Sequence, residues 1–186
     1  MKGEEKKLTI HYSQKLFTEV KMSVTGITET IQCLTFKLGD EVFAVNVAKV
    51  REILDFTTVT KVPQTPDFMR GVINLRGSVV PVVDMRLKFG MTATEKTVNT
   101  CIIVMEIALD GDTSIVGALA DSVQEVLELE PEQIEAAPRI GTKLNTEFLI
   151  GMGKHNETFI MILNIDKVFT FEDMESMQGG GSQAAA

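Results

Sequence analysis

Catalysis needs positioned titratable or nucleophilic side chains, and this 186-residue chain offers few. Its two histidines are His11, in an opening segment rich in Lys, Glu, Ser and Thr, and His155, in Lys154-His155-Asn156-Glu157, which reads as an exposed turn. Glu52, Asp84 and Asp121 are the carboxylates with the means to form an acid–base pair. Asp84, however, stands directly before Met85-Arg86-Leu87-Lys88-Phe89-Gly90 and reads as a helix cap, and Asp121 reads as a turn residue. Cys33 and Cys101 each open an apolar strand-like run, the setting of buried free thiols rather than of a disulfide framework. No Cys-x-x-Cys or His-Glu-x-x-His spacing supports a metal site. Gly-x-Ser-x-Gly and P-loop patterns are missing, and Gly151-Met152-Gly153 lacks the following helix that a phosphate site needs. The inventory predicts a non-enzymatic binding module with no metal, no cofactor and no small-molecule substrate.

Charge narrows the partner. The net charge of −8 argues against a nucleic-acid groove, which needs clustered Lys and Arg to neutralise phosphate, and against a polybasic membrane anchor. The opening Met1-Lys2-Gly3-Glu4-Glu5-Lys6-Lys7 has no apolar core of a signal peptide. Phe159-Ile160-Met161-Ile162-Leu163 is too short to cross a bilayer. The expectation is a cytoplasmic protein with protein partners and no direct membrane contact.

The elements that must present a binding surface are mainly strands. Cys33–Leu38 and Val42–Val45 flank Gly39-Asp40, and Ile102–Ile107 and Ile115–Leu119 flank Asp110-Gly111; both read as hairpins. Val79-Val80-Pro81-Val82-Val83 is strand-like, but Pro81 cannot donate to a ladder, which predicts an edge or a bulge there. Three short helices are expected: Val47 to Leu54 capped by Asn46, a segment from Thr65-Pro66 to Gly71, and Met85 to Phe89 capped by Asp84. Strand-rich units with short corner helices suggest small β-barrels.

An internal repeat organises these elements. A shift of 80 residues lays Phe68 on Phe148, Gly71 on Gly151, Val80 on Ile160, Val82 on Ile162, Val83 on Leu163, Asp84 on Asn164 and Phe89 on Phe169, without a gap. A shift of 73 lays Val50-Arg51-Glu52-Ile53-Leu54 on Val123-Gln124-Glu125-Val126-Leu127, and a shift of 75 lays Val62-Pro63 on Ala137-Pro138. The chain is therefore divided into a loosely ordered extension at 1–30, a first β unit at 31–90, a second at 91–172 and a flexible Gly-rich tail at 173–186.

The stretch Gly71-Val72-Ile73-Asn74-Leu75-Arg76-Gly77 followed by Pro81-Val82-Val83-Asp84-Met85-Arg86 closely resembles the signature of the CheW family. Val47-Ala48-Lys49-Val50-Arg51-Glu52-Ile53 is similar to the family's upstream segment, and the resemblance runs from about Ile31 to Asp173. It implies two five-stranded, SH3-like β-barrels packed together. It also implies two partners: the regulatory domain of a CheA-type histidine kinase and the cytoplasmic tip of a chemoreceptor, held together in membrane-associated arrays. By the same resemblance, Glu52 and Arg76 form an ion pair that orients an interface. A receptor helix is then expected in a groove between the barrels, with Val47, Val50 and Ile53 on one side and Val116, Gly117, Ala118 and Leu119 on the other. A related scaffold in another kinase-controlled pathway, such as surface motility, is the alternative; a ligand-binding barrel would need a polar pocket the sequence does not supply.

Overall fold

In the computed structural model, residues 26–138 and 145–178 are described. The readings of His11, of the extension before Gly26 and of the tail beyond Gln178 lie outside these residues. Among the described residues the chain is mainly β, in two curled sheets. The strands are β1 (Ile31–Leu38), β2 (Glu41–Asn46), β3 (Val50–Asp55), β4 (Met69–Leu75), β5 (Ser78–Asp84), β6 (Cys101–Leu109), β7 (Asp112–Ala120), β8 (Ser122–Leu129), β9 (Ile134–Glu135), β10 (Leu149–His155) and β11 (Thr158–Leu163). α1 (Met85–Lys88) follows β5, and α2 (Ile165–Val168) and α3 (Phe171–Gln178) follow β11 in succession.

One sheet runs β3-β6-β7-β5-β4 and the other β8-β1-β2-β11-β10-β9. Sheet membership does not follow the linear division at residue 90. The hairpin β1–β2 joins β8–β11, whereas β6–β7 joins β3–β5. Both barrel-like sheets are nevertheless built alike. β7 runs parallel to β5, with Val82 opposite Gly117, and β2 runs parallel to β11, with Ile162 opposite Ala44. The N-terminal hairpin thus fills in the second sheet the place that β6–β7 fills in the first.

The repeated residues have physical reasons. In β4–β5 a bulge falls between Met69 and Gly71, and in β10–β11 the same bulge falls between Leu149 and Gly151. Asp84 N–H donates to Phe68 O at 2.7 Å and Asn164 N–H to Phe148 O at 2.8 Å, closing the two units identically. At Gly71 the φ is 140°, and a Cβ would stand 2.0 Å from Thr60 O; at Gly151 it would stand 2.8 Å from Glu135 O. A crossing strand segment therefore excludes any side chain at both positions. Thr60 bridges to Val72, and Glu135 pairs with Met152, so the same crossing appears in both sheets.

Three cores result. Ile73, Val80, Val82, Ile102, Val104 and Leu119 fill one barrel; Cys33, Ala44, Leu129, Ile134, Ile160 and Ile162 fill the other. The largest core draws on both sheets, with Phe36, Phe43 and Val45 meeting Ile103, Met105, Ile107, Val116 and Ala118. This explains why β6 reads as an unbroken apolar run: its alternate side chains enter two different cores. Phe36, Phe43, Phe89 and Phe148 stack in series through the joint, with centroids 6.1, 5.6 and 6.1 Å apart.

Four expectations change. Asn46 does cap a helical turn through Ala48 N–H at 2.9 Å, but only Val47–Lys49 is helical, and the chain then extends as β3. The Thr65-Pro66 segment is a turn, and Gly71 lies inside β4 rather than ending a helix. Pro81 sits on an interior strand. Val72 turns its N–H and C=O toward Thr60, at 2.8 and 2.9 Å, and parallel pairing with β7 begins only at Val82, so no ladder bond is asked of Pro81. Finally, residues expected in a flexible tail form α3: Thr170 and Asp173 cap each other reciprocally, and Met174 and Met177 are buried.

Candidate protein-binding surface

Glu52 and Arg76 meet across the seam of the first sheet, because β3 and β4 are its two edge strands. Arg76-Gly77 forms the β4–β5 turn with φ of 50° and 87°, and Asn74 Oδ1 accepts the Gly77 N–H at 2.9 Å. That turn is the tight type in which both central residues have positive φ. It projects Arg76 onto Glu52 as a bidentate pair: Nη1 to Oε1 at 2.8 Å and Nη2 to Oε2 at 3.0 Å. The Arg76 side chain is 77 % exposed and Glu52 23 %. Arg51 also pairs with Glu106 on β6.

This pair stands on the rim of an open groove of about 830 Å³. Val62, Val72, Leu75, Val79 and Ile115 supply apolar wall, Arg51, Glu52 and Arg76 supply the charged rim, and Met174 and Met177 of α3 form a further side. Val79, at 70 % exposure, is among the most exposed large apolar side chains described. An apolar trough with a preorganised charged edge suits a protein segment better than a small polar ligand.

Of the residues expected to line a groove, Ile53 is 44 % exposed and Val47 and Val50 are half-buried. Val116, Gly117, Ala118 and Leu119 lie instead at the buried centre of β7. Val116 and Ala118 point into the joint core and Leu119 into the barrel, and a Cβ on Gly117 would meet Ile102 at 2.8 Å. The strand is flanked on both sides, by β6 and β5, so it reaches the groove only through Ser114 and Ile115. Val62, Val72, Leu75, Val79, Ile115, Met174 and Met177 were not expected as groove residues from the sequence. Alternation in β5 marked Val79; nothing local marked Val62.

Asp84 and Asp121, the other carboxylates considered from the sequence, have structural partners. Asp84 is fully buried. It accepts from the backbone N–H of Arg86 (3.0 Å), Leu87 (3.4 Å) and Thr94 (2.9 Å), from Thr94 Oγ1 at 2.9 Å and from Arg70 at 3.3 Å. Asp121 accepts from Gly39 N–H and pairs with Arg86 at 3.3 Å. Cys33 and Cys101 are buried free thiols, and burial pushes Cys33 up to about 11. Among the described residues no group of His, Cys, Asp and Glu is placed to hold a metal ion, and no helix is long and apolar enough to cross a membrane.

Two joined β-barrels, with an ion-paired groove and carboxylates spent on caps and turns, define a scaffold or adaptor class. The CheW-like domain family matches residues 32–173. The chain is 37% identical over 151 residues to the chemotaxis protein CheW of Klebsiella aerogenes, covering 81% of this chain and 89% of that protein. It is 35% identical over 145 residues to CheW of Rhizobium meliloti, covering 78% and 91%. The crystal structure of the scaffolding protein TtCheW from Thermoanaerobacter tengcongensis aligns with a TM-score of 0.68 at 31% identity, over 77% of this chain and 94% of that one. The chain belongs to the CheW family of chemotaxis scaffold proteins.

Proposed function

We propose that this protein is a non-enzymatic cytoplasmic adaptor that couples a CheA-type histidine kinase to the cytoplasmic tips of chemoreceptors in membrane-associated arrays. The observation that carries the reading is the bidentate Arg76–Glu52 pair on the rim of an open apolar groove, in a chain of this family. A receptor tip is an amphipathic helical hairpin, and such helices bind by laying an apolar face into a trough. Val62, Val72, Leu75, Val79 and Ile115 are the apolar side chains such a helix would meet. Arg76, fixed by Glu52, meets the partner with little ordering left to do, which favours affinity.

Titration calorimetry with the kinase regulatory domain and with a soluble receptor-tip hairpin tests this. Saturable binding to both is expected. Arg76→Ala should weaken at least one by roughly tenfold or more, while the melting temperature stays almost unchanged, since an exposed pair contributes only about 0–1 kcal/mol. Binding to neither partner, or outright unfolding of the variant, overturns the reading.

A further inference from the structure

One side of the groove is formed by a helix of the protein's own. Met174 and Met177 of α3 are 4% and 5% exposed, and they belong to the core cluster into which Val47, Val50, Val116 and Ala118 also pack. The same two side chains border the open part of the groove. At the start of α3, Asp173 pairs with Lys88 at 2.7 Å, and the Lys88 ammonium stands 4.4 Å from the centroid of the Phe68 ring. That side of the groove is thus closed by one amphipathic helix that carries an acidic residue followed by apolar residues one and four positions on. That pattern describes what the cleft accepts.

α3 depends on these docking contacts to be helical at all. Its eight residues are too few for a stable helix in water without packing. Its last turn carries no basic residue to complement the helix dipole. Phe171, its largest side chain, is 55% exposed.

We propose that α3 is an exchangeable occupant of this cleft: a partner helix with the same acidic–apolar pattern docks by displacing it, and the partner's carboxylate takes over Lys88. The proposal rests on the reading of the groove as a helix-binding site and adds that the chain's own C-terminal helix competes for it. A binding-competent state that is only partly populated lowers apparent affinity by its population. The strength of α3 docking therefore sets the partner concentration at which assembly begins.

The test uses the full chain, Asp173→Lys and Ser176→Ala, with the receptor-tip hairpin as probe. Asp173→Lys removes the latch; Ser176 is exposed, so Ser176→Ala raises helix propensity without touching the cleft. Hairpin affinity should rise roughly threefold or more in the first variant and fall about twofold in the second. Amide hydrogen exchange across Met174–Met177 should quicken when the hairpin binds. Equal affinities in all three chains, or slower exchange in α3 on binding, overturns displacement while leaving the adaptor reading intact. If the hairpin binds none of them, the adaptor reading fails. The cleft is then judged by a peptide of residues 169–178: saturable binding to Asp173→Lys but not to the unmodified chain sustains an exchangeable site, and no binding to either overturns it.

Discussion

Asp84 and Asp173 are both carboxylates that cap helices, yet they respond differently to perturbation because their surroundings differ. Asp84 is sealed from solvent and ties together α1, Arg70 and the Thr94 loop. Asp84→Ala leaves buried N–H groups and a cation without their acceptor, and should destabilise the fold by about 3–5 kcal/mol, read from urea denaturation. Burial by itself would raise Asp173, but the hydrogen bond and charge of Lys88, with donation from the Thr170 N–H and hydroxyl, outweigh it and hold the carboxyl below its ordinary value of 3.8. A lowered folded value means that this contribution is present above the ordinary pKa and is lost as pH falls through the folded one. Protection of α3 amides should accordingly fall once pH drops below about 4, and Asp173→Asn should flatten that dependence. An identical acid profile in the Asn variant would show that Asp173 does not hold the helix.

At the scale of elements, turn chemistry and close packing left the clearest marks in the sequence. Gly39-Asp40 and Asp110-Gly111 do join hairpins, and Asp110 and Gly111 adopt the positive φ that their residue types suggest. The glycine pair Gly71 and Gly151 exposed the repeat because a crossing backbone leaves no room for Cβ at either. β3 was misread for a reason that lies in the site itself. Val50, Glu52 and Leu54 face inward by turns while Ile53 faces solvent, so a charged residue occupies the inner row and an apolar one the outer. Glu52 is there to receive Arg76, and that requirement disguised a strand as a helix. The α3 signal, Thr170-x-x-Asp173 before Met174, was present but short. Burying Met174 and Met177 stabilises by about 1.5–3 kcal/mol each, so the docking of α3 rests on packing rather than on helix propensity. Truncation after Gln178 should leave the melting temperature unchanged. Truncation after Ser176 should lower it by about 2–4 °C, and an unaltered value would mean Met177 contributes nothing.

For the whole molecule, the interleaving of the sheets matters more than the repeat. The repeat suggested two successive units, and local similarity has no means of revealing that β1–β2 completes the later one. Residues 31–90 carry β1 and β2 without β8–β11, and β3–β5 without β6–β7. Expressed separately, 31–90 and 91–172 should each lack dispersed amide signals in NMR spectra, and mixing them should restore the native pattern. A fragment that folds alone would contradict the shared core. In the intact chain, one cooperative transition is expected, since side chains from both sheets fill the joint.

The placement of β1–β2 also sets a timetable for the newborn chain. β3 to β7 emerge in succession and have all their pairing partners by Ala120. The first hairpin, made before any of them, must wait for β8 and β11 to leave the ribosome before it can be enclosed on both sides. At roughly 5–20 residues per second this is a delay of several seconds. During it Cys33 and Ala44, which face the second barrel's own core, have no residues of β8–β11 to cover them, so this face of the first hairpin is the last to be sheltered and the one most in need of a chaperone.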